Sequence, residues 1–145
     1  MENLQLDHNK HIANSTKHPL SILAHDIAKP WNVGSIFRIA DAFGIEKIYL
    51  SGSSPVPPNV KIRKTSRATD TRVPYNYEHN PVDLVIRLKS EGYTILSLEI
   101  TTSSIDIRKL SISKNEKILL ILGSEKSGIS PVSYTHLTLP TIYSV

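Results

Sequence analysis

Three stretches of this chain hold side chains whose types and spacing could do chemistry. The first is residues 28–44, A-K-P-W-N-V-G-S-I-F-R-I-A-D-A-F-G. Here Asn32 stands at the mouth of an amphipathic pattern and Arg38 in its middle, a polar pair that core packing does not explain. Asp41, three residues beyond Arg38, offers an ordinary helical ion pair as the alternative use of that arginine. The second stretch is residues 59–72, where Lys61, Arg63, Lys64, Arg67 and Arg72 form the densest basic cluster in the chain. Such a run is either a solvated helix face or a set of phosphate contacts. The third is residues 123–130, G-S-E-K-S-G-I-S, a loop whose backbone N–H groups around Glu125 could wrap a small polar ligand or merely turn the chain. It is not a phosphate-binding P-loop, because the lysine that must follow G-x-x-x-x-G is replaced by Ile129. Nor does N-V-G supply the G-x-G-x-x-G of a dinucleotide site.

Elements that alternate strand and helix must position these residues. Residues 20–24 form a short apolar run after Pro19 and read as a buried strand, closed by His25 and Asp26. In the helix that follows, Ile36, Ile39, Ala40 and Phe43 fall at helical spacing and are expected to face the core, with Pro30, Asn32 and Gly34 shaping its start and Gly44 as a left-handed cap. Residues 47–50 make a second strand, which completes a βαβ unit whose ligands bind beyond the carboxyl ends of the strands. After a loop dense in Gly, Ser and Pro at 52–58, residues 73–77 read as a short strand. Residues 81–91 read as a helix with Val82, Leu84, Val85 and Leu88 on its apolar face, ended by Gly92. Residues 93–98 are the next strand and 101–111 a polar crossover. Residues 117–122, K-I-L-L-I-L, are apolar enough for a central strand covered on both faces. The expected fold is α/β, a mostly parallel sheet with helices on both faces.

At 145 residues, 39% hydrophobic and 21% charged, the chain has the composition of one soluble globular domain. Its net charge of +4 leans mildly towards an anionic partner, nucleic acid first. The absence of cysteine excludes a disulfide framework, a thiol nucleophile and a Cys-based zinc site. Residues 1–18 form a polar lead-in. Its His8 and His11 lack a third ligand, so no metal is expected. No run resembles a secretory signal or approaches the ~20 apolar residues of a membrane span, and the expected location is the cytoplasm.

Taken in order, N-V-G-S-I-F-R-I-A-D-A-F-G and L-G-S-E-K-S-G-I-S, with K-T-S-R-A-T and V-P-Y-N-Y between them, resemble the first two motifs of the SpoU, or TrmH-like, branch of the SPOUT methyltransferases. The resemblance covers about residues 20–130. It implies an α/β knot fold, a homodimer, S-adenosyl-L-methionine as cofactor and methylation of an RNA ribose 2′-hydroxyl. Transfer RNA is the first expected substrate, because the chain lacks room for the N-terminal RNA-binding domain of many ribosomal-RNA enzymes; ribosomal RNA is the second. Carried over residue by residue, the catalytic positions are Asn32, Arg38 and Glu125. The cofactor side falls on Leu98, Glu99, Gly123 and Gly128, and the RNA contacts on Arg63, Lys64 and Arg67. An arginine stays protonated in proteins, so Arg38 suits the stabilisation of developing negative charge and the grip of a phosphate better than service as a literal base. A non-catalytic RNA-binding module and a small-nucleotide-binding domain are the competing readings.

The pattern breaks after Ser130. The family continues with a third motif, whose serine and asparagine complete the cofactor pocket and thread the knot, whereas this chain reads P-V-S-Y-T-H-L-T-L-P-T-I-Y-S-V. That tail contains no Lys, Arg, Asp or Glu, and V-S-Y-T-H-L-T-L-P-T resembles the in-frame translation of a transposase-based sequencing adapter. The expected division is therefore a lead-in at 1–18, a partial catalytic domain at 19–130 and a foreign tail at 131–145. On this reading the knot is incomplete, the usual dimer contacts are lost and the polypeptide as written is inactive, the function belonging to the parent gene.

Overall fold

The computed structural model describes residues 16–124, 128–129 and 141–143. Its strands are β1 (His18–His25), β2 (Ile45–Ser51), β3 (Tyr75–Glu78), β4 (Thr94–Leu98), β5 (Ile105–Asp106), β6 (Ile118–Leu122) and β7 (Thr141–Tyr143). Its helices are α1 (Pro30–Ala42), α2 (Val60–Ser66) and α3 (Pro81–Ser90), with short 3-10 turns at Thr69–Thr71 and Ile107–Lys109. The strands form one sheet in the order β3-β2-β1-β6-β4-β7-β5, parallel at every pairing. The chain thus moves outward from β1 to β3, crosses back by α3 to β4, and returns to fill the centre with β6.

The apolar run of β6 takes the central place expected of it, between β1 and β4. Leu119 and Ile121 pack with Leu84, Val85 and Leu88 of α3, and so does Leu23 of β1. The alternate β1 residues Ile22 and Ala24 pack on the opposite face with Val33, Ile36, Phe37 and Ala40 of α1 and Ile62 of α2. Each strand therefore feeds two cores through its period of two.

Helix α3 follows the sequence pattern, except that Val82 is only half-buried. Helix α1 departs from it. Its buried stripe is Val33, Ile36, Phe37 and Ala40, whereas Ile39 is 51% and Phe43 69% exposed. At about 100° per residue, Val33 and Phe37 draw the stripe round the helix and turn Ile39 and Phe43 out of the core. Phe37, fully buried, meets the edge of the Tyr75 ring at 5.6 Å. Gly44 does adopt the expected left-handed cap, at φ +62°.

Two further features were not anticipated. The crossover at 101–111 contains β5, a two-residue strand that exists only by pairing with β7. The segment 141–143, inside the stretch expected to be foreign, lies between β4 and β5 with Ile142 buried against Leu96 and Ile118. Residues 1–15, with His8 and His11, lie outside the described residues. Among the described residues no helix is long and apolar enough to cross a membrane.

Candidate functional site

Three strand ends stand level at the carboxyl edge of the sheet, because Ala24 of β1 and Leu98 of β4 are both in register with Leu122 of β6. The chain order reverses here, and in open parallel sheets such a switch point is where ligands bind. The loop carrying Asn32 leaves from β1, the loop opened by Gly123 leaves from β6, and Glu99 follows β4.

A network of short hydrogen bonds ties the β1 loop to the β2 loop. His25 Nδ1 lies 2.8 Å from Ser51 Oγ, and the Ser53 N–H donates to Asp26 Oδ1 at 2.8 Å. The Ile27 N–H donates to Ser54 Oγ at 2.9 Å. The Ser53 backbone N–H, against the opposing effect of burial, and the neighbouring His25 hold the Asp26 carboxyl below the usual aspartate range. Asp26 itself is left-handed, at φ +56°. This bracing fixes the approach to α1, and Asn32 sits half-buried in the first turn of that helix.

Gly34 sets what lies beside α1. A Cβ there would stand 2.8 Å from both the Ile62 carbonyl oxygen and Thr65 Cβ, so only glycine lets α2 lie this close. Gly34 therefore does more than shape the start of the helix, since it docks the basic helix onto α1. Asn59 starts α2 by accepting hydrogen bonds from the N–H groups of Lys61 and Ile62. Arg67 and Ala68 end it with two consecutive left-handed residues, φ +55° and +68°. For residues with a Cβ this conformation costs about 1–2 kcal/mol each. The turn is held by Asp70, whose buried carboxylate accepts from the Ser66 hydroxyl at 2.7 Å and from Arg63 Nε at 3.0 Å. Burial alone would raise the Asp70 pKa, but the Ser66 and Arg63 hydrogen bonds and the Arg63 charge outweigh it and keep the group ionised.

The result is a cleft of about 790 Å³ between α1 and the turn after α2, lined by Arg38, Asp41, Ser66, Arg67, Thr69 and Arg72. Asp41 is not the partner of Arg38. Its Oδ2 accepts from Arg72 Nη2 at 2.6 Å, across 31 residues of sequence. Arg38 is exposed and has no hydrogen-bond or ion-pair partner among the described residues. It also borders a smaller hollow walled by Ile39, Phe43 and Thr65.

On the other side of the edge, Gly123 packs against Gly128, and Gly128 against Glu99. A Cβ on Gly123 would stand 2.6 Å from the Gly128 carbonyl, and one on Gly128 would run into the Glu99 carboxylate. Ser124 and Gly128 exchange both backbone hydrogen bonds, 3.1 and 2.9 Å. Glu99 is half-buried and Leu98 41% exposed. Glu125 lies outside the described residues.

Two clusters at the edge and flank of a parallel sheet, one cationic and one built of glycine backbone, are thus in place. The SpoU rRNA methylase family model matches residues 19–142. This chain belongs to the SpoU rRNA methylase family. It is 28% identical over 114 residues to the tRNA (guanosine(18)-2′-O)-methyltransferase of Escherichia coli (strain K12), an alignment covering 77% of this chain and 47% of that enzyme. It is 29% identical over 111 residues to the 23S rRNA (guanosine-2′-O-)-methyltransferase RlmB of Blochmanniella floridana, covering 77% of this chain and 42% of that enzyme. The SpoU methyltransferase AviRb from Streptomyces viridochromogenes, in complex with the cofactor AdoMet, superposes with a TM-score of 0.72 over 96% of this chain and 52% of its own, at 21% identity. The chain spans under half the length of the two enzymes it matches in sequence.

The SpoU fold brings together Arg38 and Arg67 in one cluster, and Leu98, Glu99, Gly123 and Gly128 in the other. Arg63 points its Nε at Asp70, and Lys64 is exposed on α2 outside the cleft. Sequence reasoning offered Asp41 only as a partner for Arg38, which it is not, named Asp26 only as the close of a strand, and passed over Asp70. It named Arg72 only as one of a basic run. The D-T-R tripeptide and the H-D dipeptide flanking loops were the available signal.

Proposed function

We propose that the parent protein transfers a methyl group from S-adenosyl-L-methionine to a ribose 2′-hydroxyl of RNA, with tRNA the first substrate and rRNA the second. The observation that carries this reading is the exposed guanidinium of Arg38, without a hydrogen-bond or ion-pair partner among the described residues, in a SpoU-family chain, lining a cleft with two more arginines. Glu99 and the close-packed backbone of Gly123 and Gly128 fit a polar cofactor at the ends of β4 and β6, and Leu98 adds an apolar surface beside them. When bound there, S-adenosyl-L-methionine supplies a methyl group made transferable by its sulfonium.

The chain's own residues do the rest. Asn32, in the first turn of α1, orients the ribose side. Arg38 stabilises the negative charge that develops as the hydroxyl gives up its proton, and holds an adjacent phosphate, an electrostatic role open to a permanently charged group. Glu125 is the third catalytic position. Arg67 and Lys64 contact backbone phosphates, and Arg63, with one N–H given to Asp70, adds charge at the rim. The protein works without a metal, in the cytoplasm, as a homodimer, a reading supported by the exposed apolar Ile39 and Phe43. Residues 131–145 are foreign to the gene, which their lack of any charged side chain supports. An assembled locus that ends in this peptide would refute that point.

The test incubates labelled S-adenosyl-L-methionine with bulk tRNA or rRNA and the protein carrying its natural C-terminus. Digestion to nucleosides should place the label on ribose, with tRNA the better acceptor. Absence of ribose label refutes the enzyme reading, and RNA retained without label favours a binding module.

A further inference from the structure

The α1–α2 face carries two arginine–aspartate pairs built in opposite ways. Asp70 is buried, its side chain 1% exposed, and both its oxygens are engaged, by Arg63 and by the Ser66 hydroxyl. Breaking that pair would strand a carboxylate in the protein interior. Asp41 and Arg72 meet through one N–H···O contact, with side chains 31% and 62% exposed. An exposed pair of this kind is worth little in water and exchanges readily. It also lies inside the cleft, where Arg38 and Arg67 add two guanidinium groups that the carboxylate does not neutralise.

We propose that Asp41 is a resident counter-ion of the arginine cleft, holding Arg72 while the cleft is empty and yielding it to an RNA phosphate. The proposal rests on RNA being the substrate. The cleft holds three cations and one anion, so a phosphodiester that displaces Asp41 from Arg72 gains Arg38 and Arg67 as well. Arg forks suit such phosphate oxygens. A single small anion must meet the same carboxylate without further phosphates to offset the repulsion. Asp41 thereby biases the cleft against free phosphate and towards a polyanion that presents several phosphates in sequence. The left-handed turn at Arg67 and Ala68, locked by Asp70, keeps the arginines on that path.

The experiment measures tRNA binding to the full-length protein across a range of KCl concentrations, with inorganic phosphate as competitor. Asp41→Asn, Arg72→Ala and the double variant are compared with wild type. Asp41→Asn should tighten tRNA binding by about two- to five-fold and make inorganic phosphate a stronger competitor. Arg72→Ala should weaken binding and reduce the salt slope by about one. In the Arg72→Ala background the Asp41→Asn gain should shrink to what the carboxylate's direct repulsion of phosphate contributes. Unchanged or weaker tRNA binding by Asp41→Asn overturns the proposal, as does a gain undiminished without Arg72. Methyl transfer is measured separately. Wild type that methylates RNA while Asp41→Asn changes nothing refutes the counter-ion alone. RNA binding with the expected pattern but no methyl transfer refutes the enzyme reading alone.

Discussion

Helices α1 and α3 lie on opposite faces of the same sheet, and only one of them obeys the local rules of helix building. Helix α3 is capped by Asn80, which accepts from the N–H groups of Val82 and Asp83, and it carries Asp83 in its first turn and Arg87 and Lys89 in its last. Those charges complement the helix dipole, and Leu84, Val85 and Leu88 fill the core. Helix α1 follows Lys29, which makes no side-chain cap, has no acidic residue in its first turn or basic one in its last, and places Gly34 in its interior. It also turns Ile39, Phe43 and the charge of Arg38 outward. Breaches of local consistency concentrate where a surface serves something other than stability. On this contrast α3 is scaffold and α1 is the proposed working face.

Substitutions can break or sharpen that division, and the largest effect belongs to the scaffold. Leu88→Ala should cost about 2–4 kcal/mol, read as a lowered thermal midpoint, while folded protein keeps its RNA affinity. Gly34→Ala should cost about 1–3 kcal/mol by crowding the Ile62 carbonyl and Thr65. Unlike the α3 change it should also weaken RNA binding, because α2 and its arginines are displaced. Ala68→Gly relieves one left-handed residue and should raise stability by about 1 kcal/mol, with the cleft intact in an RNA-binding assay. The smallest effect is on acid stability. Because the native pKa of Asp70 is depressed, its contribution is complete above the ordinary aspartate range, near 4, and is lost as the pH falls through the lower native value. Asp70→Asn should flatten the acid limb of a stability profile taken by denaturant unfolding.

The same contrast explains what could be read from the sequence. Where local preference and tertiary structure agree, as in the apolar run of β6, the apolar face of α3 and the positive φ of Gly44, composition and spacing sufficed. In α1 the pattern allowed two neighbouring stripes, and only packing against Tyr75 and the α2 face decided for Phe37 over Ile39. Strand β5 is two residues long and has no signal apart from its partner β7. Arg38 and Asn32 were legible as side chains without a packing role. The Asp41–Arg72 pair was not, since it joins residues 31 apart whose proximity depends on Gly34 and on the turn at Arg67 and Ala68. For the same reason the division of the basic cluster, Arg63 to Asp70 and Arg67 and Arg72 to the cleft, required the fold.

The most direct measurement compares single-turnover methyl transfer to bulk tRNA by Arg38→Ala on α1 and Arg87→Ala on α3, in the protein with its natural C-terminus. Removal of a group that stabilises developing charge should slow transfer by about 10²–10³-fold, whereas the α3 variant should stay within about two-fold of wild type, as for a surface site remote from the chemistry. Transfer by Arg38→Ala at the wild-type rate would contradict the assignment of α1 as the reacting face.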